Sequence, residues 1–132
     1  MLRIKLCSIF VDDQTKALRF YTDVLGFVKL HDIPMGEFRW LTVRAADGSE
    51  TELVLEPNAN PIARTYQQAL LEQGIPATSF EVDDLEAEFE RLRARGVEFT
   101  TPPTQAGPVS RAVLLDTCGN LIQLHQPPAK RG

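Results

Sequence analysis

A block of sequence recurs at a fixed distance, and that recurrence limits the folds open to the chain more than any single motif does. Phe10-Val11-Asp12-Asp13 returns as Glu81-Val82-Asp83-Asp84, so Val11 maps to Val82 at an offset of 71. Asp47-Gly48 followed by Thr51-Glu52-Leu53-Val54-Leu55 matches Cys118-Gly119 followed by Ile122-Gln123-Leu124, with Gly48 and Gly119 again 71 apart. Gly26 and Gly96 match at 70, which one deletion in a helix-to-strand connection explains. Self-similarity of this kind implies two equivalent structural halves.

Each half opens on a run rich in β-branched and aromatic residues, Ile4 to Val11 and then Thr78 to Val82, that stops at paired aspartates. Aspartate suits a helix N-cap, and Asp83 with Glu86 has the spacing of a capping box. Ala17, Leu18, Tyr21, Val24 and Leu25 then share one helical face, as do Leu85, Phe89 and Leu92, and Gly26 and Gly96 end the two helices. Three strands follow in each half, at Phe27–Ile33, Phe38–Arg44 and Thr51–Leu55, then at Glu98–Thr101, Ala112–Leu115 and Leu121–His125. The pattern is βαβββ twice, an α+β chain.

The expected organisation is a single domain over residues 1–132, with module one at 1–57, a linker at 58–76 holding a short helix from Ala63 to Glu72, module two at 77–126 and a frayed tail at 127–132. Hydrophobic residues make up 43% of the 132, enough for one packed core. The net charge of −4 comes from interspersed charges with no basic stripe, which argues against nucleic acid. No apolar run reaches the roughly 18 residues a membrane helix needs, and the N-terminus lacks a signal-peptide cleavage pattern. Two cysteines, Cys7 and Cys118, form neither a disulfide framework nor a CxxC pair. A cytoplasmic protein is expected.

The runs VDDQTKALRFYTDVLGF, VDDLEAEFERLRARGVEF and DTCGNLIQLHQP resemble the vicinal oxygen chelate superfamily, which includes glyoxalase I, bleomycin-resistance proteins and extradiol dioxygenases. Asp13, Ala17, Phe20, Tyr21, Leu25, Gly26 and Phe27 carry its first signature, which reports helix packing rather than chemistry. The resemblance implies curled mixed sheets that form an incomplete eight-stranded, glyoxalase-like barrel, and a homodimer.

Enzymes of that superfamily hold a divalent metal through one side chain on the first and one on the fourth strand of each module. Carried over one at a time, those positions fall on Leu6, Glu52, Ala77 and Gln123. Leucine and alanine donate no lone pair, and two oxygen donors are too few for a catalytic ion. No metal or other cofactor and no catalytic residue is therefore assigned. An atypical site of Glu52, Gln123 and His125 stays open, as does Glu52 acting alone as a general base. Cys7 should turn toward the helix, and His31, ahead of Pro34, toward solvent.

Strand alternation from the family positions gives a cleft-facing set of Leu6, Ser8, Phe10, Glu52, Val54, Ala77, Ser79, Gln123 and His125, with Phe38 and Trp40 as an aromatic wall or, alternatively, as core. The Thr101 to Pro108 loop should border the entrance. An apolar, aromatic cleft without its ligand set resembles the metal-free bleomycin-resistance branch. The function expected is metal-independent sequestration of a small, bulky aromatic natural product or drug, in the manner of antibiotic resistance; the acidic balance leans weakly to a neutral or cationic ligand. The competing reading is a glyoxalase- or dioxygenase-like lyase, isomerase or ring-cleaving enzyme built around Glu52.

Overall fold

The computed structural model describes residues 1–128; the end of the tail, residues 129–132, lies outside them. The element order is β1 (Leu6–Val11), α1 (Gln14–Arg19) running into a π turn (Phe20–Val24), β2 (Val28–Met35), β3 (Phe38–Arg44), β4 (Glu52–Pro57), α2 (Pro61–Glu72), β5 (Thr78–Glu81), α3 (Leu85–Ala94), β6 (Phe99–Ala106), β7 (Val109–Leu115) and β8 (Leu121–Gln126). Two four-stranded sheets result, ordered β1-β4-β3-β2 and β5-β8-β7-β6, and neither closes into a barrel. In each, the first and last strands of the module pair in parallel and the other neighbours run antiparallel.

One face of each sheet packs on its helix. Ile9, Val11, Leu41, Val43, Leu53 and Leu55 meet Ala17, Phe20 and Tyr21, while Ala112, Leu114, Ile122 and Leu124 meet Leu85 and Leu92. Asp13 caps α1 by accepting from the Lys16 amide at 3.0 Å. Asp84, 71 residues on, caps α3 by accepting from the Ala87 amide at 3.1 Å. The cap is thus one residue later than the Asp83–Glu86 capping box expected. The first helix is also not regular: Leu25 donates to the Phe20 carbonyl five residues back, and the Thr22 hydroxyl donates to the Leu18 carbonyl at 2.6 Å. The π turn sets Phe20 and Tyr21 side by side in the core.

Two boundaries differ from expectation for one physical reason. Pro34 lies inside β2 and Pro102-Pro103 inside β6, so residues 101–106 are strand and not a loop. Both strands are sheet edges, where one side needs no amide donor. Two register shifts in β6, at Phe99/Thr101 and Thr101/Thr104, absorb the prolines. β8 runs one residue past the expected His125, and the Gln126 side chain accepts from the Leu85 amide at 2.8 Å.

The repeat itself carries a correction. β3 and β7 start at Phe38 and Val109, an offset of 71, but β4 and β8 start at Glu52 and Leu121, an offset of 69. The β3–β4 connection is two residues longer than the β7–β8 one. In register terms Val54 lies between Ser8 and Thr42, while Gln123 lies between Ser79 and Val113. Gln123 is therefore the counterpart of Val54, and Leu121 that of Glu52. An even-numbered slip keeps every side chain on its face, so alternation alone could not reveal it.

A buried polar network joins the modules. The Gln67 amide nitrogen on α2 donates to the Phe10 and Cys118 carbonyls, at 3.1 and 3.0 Å, and to the Asn120 side-chain oxygen. The fully buried Asp116 carboxylate accepts from the Tyr21 hydroxyl at 2.7 Å, from the Cys118 and Asn120 amides, and from the Asn120 side chain. Burial first, and the Asp116 charge second, push the Tyr21 hydroxyl well above its ordinary pKa.

Candidate functional site

The faces turned away from the helices carry the candidate chemistry. On sheet one, alternation brings Leu6, Ser8 and Phe10 of β1, Glu52, Val54 and Glu56 of β4, Phe38, Trp40 and Thr42 of β3, and His31, Ile33 and Met35 of β2 onto one surface. Leu6, Ile33, Met35 and Phe38 are each at least 40% exposed, an unusual accumulation of bare apolar groups on one sheet. Trp40 is half-buried beside Phe38 and Met35 in a groove of about 310 Å³ floored by Val54. Phe38 and Trp40 thus line an open surface rather than the core beneath the helix.

Within that apolar face sits one polar group of three. The Thr42 hydroxyl donates to Glu52 Oε1 at 2.9 Å, and His31 Nε2 lies 3.5 Å from the same oxygen. His31 is exposed as expected, but it lies within β2, and its ring reaches across β3 to the Glu52 carboxylate. Its place follows from the Pro34-tolerant edge strand: His31 pairs with Thr42, as Ile33 does with Trp40. Reading β2 as ending at Ile33 hid Met35, and reading His31 beside a turn hid the cluster.

Sheet two offers a different surface. Ser79, Gln123 and His125 come together there: the Gln123 amide donates to Ser79 Oγ at 3.1 Å, and Ser79 Oγ lies 2.6 Å from His125 Nδ1. Arg111, which no motif marked, pairs in register with His125. Ala77 lies just before β5, where its amide donates to the Leu121 carbonyl; the first-strand neighbour of Gln123 is Ser79. The bonds of Glu52 stay within sheet one and those of Gln123 and His125 within sheet two, so the structure does not gather these three into one ligand set.

The metal positions can now be tested on donor chemistry. Leu6 is the register partner of Glu52, and Ala77 offers only a methyl group, so an ion would find one carboxylate and one neutral amide on different sheets. Among the described residues no three of His, Cys, Asp and Glu lie close enough to hold a metal. The divalent ion of the enzymes does not fit these residues. Cys118 offers no nucleophile either, since burial and then the Asp116 charge push its thiol up to about 12. A second depression, about 430 Å³ between α3 and Ala45–Asp47, is a seam between the modules with Asp83, Asp84 and Glu88 at its wall.

With two βαβββ modules and their faces on the page, comparison with known proteins is decisive. Residues 3–124 match the Glyoxalase/Bleomycin resistance protein/Dioxygenase superfamily. The chain belongs to this superfamily. YurT of Bacillus subtilis (strain 168) is 52% identical over 126 residues, covering 95% of this chain and 99% of its own. Among solved structures of the superfamily fold, UcmS2 superposes with a TM-score of 0.82 at 33% identity, over 95% of this chain and 98% of its own. TnmS3, an antibiotic binding protein from Streptomyces sp. CB03234, superposes with a TM-score of 0.78 at 32% identity, over 96% and 97%. No helix among the described residues is long and apolar enough to cross a membrane.

Proposed function

We propose that this chain binds a bulky aromatic natural product or drug and neutralises it by holding it, without a metal or cofactor and without breaking a bond. The observation that carries the reading is the unpartnered apolar face of sheet one, where Phe38 and Trp40 lie beside Ile33 and Met35. Flat rings present large area at little entropic cost, and affinity then comes from burying ligand surface. The antibiotic-binding relative at 32% identity supports the same reading. The two modules act as one cytoplasmic domain, and a second copy of the chain covers the open face as a homodimer. Such a container needs only to outnumber its ligand.

Trp40 is the sole tryptophan, so its fluorescence reports the proposed site directly. Titration with polycyclic aromatic antibiotics should quench it to a one-to-one endpoint per cleft, and mass spectrometry should recover the ligand unchanged. Several product molecules formed per chain, or stoichiometric tightly held metal in the purified protein, would overturn the proposal. Light scattering tests the dimer.

The Glu52 cluster favours a second reading. A carboxylate with His31 at 3.5 Å and a threonine hydroxyl at 2.9 Å could move a proton beside a carbonyl. In that case Glu52→Gln would abolish turnover and leave binding intact.

A further inference from the structure

The sequestration reading leaves the ligand's polar chemistry open, and sheet two speaks to it. Ser79 has one hydroxyl proton and already accepts from Gln123 at 3.1 Å. Ser79 Oγ also lies 2.6 Å from His125 Nδ1, which fixes the orientation of the imidazole ring. His125 Nε2 has no partner among the described residues. Beside it in register, Arg111 Nε is buried with no hydrogen-bond partner, and the guanidinium forms no ion pair among the described residues. Glu81, the register partner of His125 on β5, stands two strands from Arg111, about 10 Å away, and does not neutralise it.

A buried guanidinium donor without an acceptor is costly, so Arg111, with the His125 ring beside it in register, marks a place that an outside acceptor completes. We propose that Arg111 and His125 form a subsite for an anionic oxygen, such as the carboxylate, sulfonate or phenolate of an aromatic ligand. The inference rests on the sequestration reading and names its substrate class: an amphiphilic aromatic acid rather than a neutral or cationic ring system. The overall charge of −4 acts weakly and at a distance, whereas the Arg111 guanidinium acts within hydrogen-bond reach.

The test uses two fluorescent probes that differ in one sulfonate, 1-anilinonaphthalene-8-sulfonate and neutral N-phenyl-1-naphthylamine, titrated into the full chain. The sulfonate probe should bind about tenfold tighter. Arg111→Gln should remove that preference and leave the neutral probe's affinity unchanged, and Arg111→Lys should restore part of it. A neutral probe that binds as well as the sulfonate, or a preference that survives Arg111→Gln, sinks the subsite and leaves the container reading standing. Failure of both probes to bind counts against both. Dissociation of a dimer by Arg111→Gln with an unchanged preference would make Arg111 an interface residue and overturn the proposal.

Discussion

The two modules share a scaffold and differ in what they lay across it. One row of the outward face in module one reads Phe10, Glu56, Trp40 and Ile33 across β1, β4, β3 and β2; the matching row of module two reads Glu81, His125, Arg111 and Thr104. Duplication kept the helix-facing positions apolar in both, because each sheet needs the same packing against its helix. The outward faces carry no such demand, and one became aromatic while the other became polar. The connections differ as well. In module two the Asp116 and Asn120 side chains of the connecting turn are buried and join the modules, while its counterpart near Asp47 is exposed and the Asp47 carboxylate accepts from Ser49.

The largest difference between the modules should show at Asp116. Asp116→Ala leaves the Tyr21 hydroxyl and two loop amides without an acceptor and should cost about 3 kcal/mol in urea unfolding; a loss under about 1 kcal/mol would mean the turn is no more structural than that of module one. Next comes Trp40→Ala, which should weaken aromatic ligands by about 1 to 3 kcal/mol with little change in melting temperature; a collapse in stability with no change in affinity would assign Trp40 to the core.

Gly119 and Gly48 form a matched pair with φ of +100° and +85°. A Cβ on Gly119 would lie 2.6 Å from the Gln67 amide nitrogen, whereas one on Gly48 meets nothing within 4 Å. Alanine at Gly48 should cost about 1 kcal/mol through backbone strain, and at Gly119 about 2 because Gln67 must also move. Equal costs would show that Gln67 yields freely.

A further effect is alkaline. The Cys118 thiol ionises near 12 in the folded chain against 9.0 ordinarily, so its contribution to stability is complete below pH 9 and is lost as the pH rises toward 12. Iodoacetamide at mildly alkaline pH should label exposed Cys7 and spare Cys118 until the chain unfolds.

Much of the architecture was legible because it is written in local chemistry. The recurring aspartates, the helical spacing of Ala17 and Tyr21 and the strand alternation each report a neighbour a few residues away. The candidate site was less so. His31 and Arg111 sit in no motif; they matter through cross-strand partners, Thr42 and His125, that are 11 and 14 residues distant. The prolines of β2 and β6 look like loop residues until the strands are known to be edges.

By itself, then, the sequence determined that two βαβββ units form, and that Leu6 and Ala77 cannot grip an ion, because periodicity and side-chain chemistry do not depend on distant contacts. Long-range contacts set which strand pairs with which, and at what height. They shifted Gln123 opposite Ser79, separated it from Glu52 and set Arg111 beside His125, because register follows from turn length and edge position, which side-chain alternation cannot see.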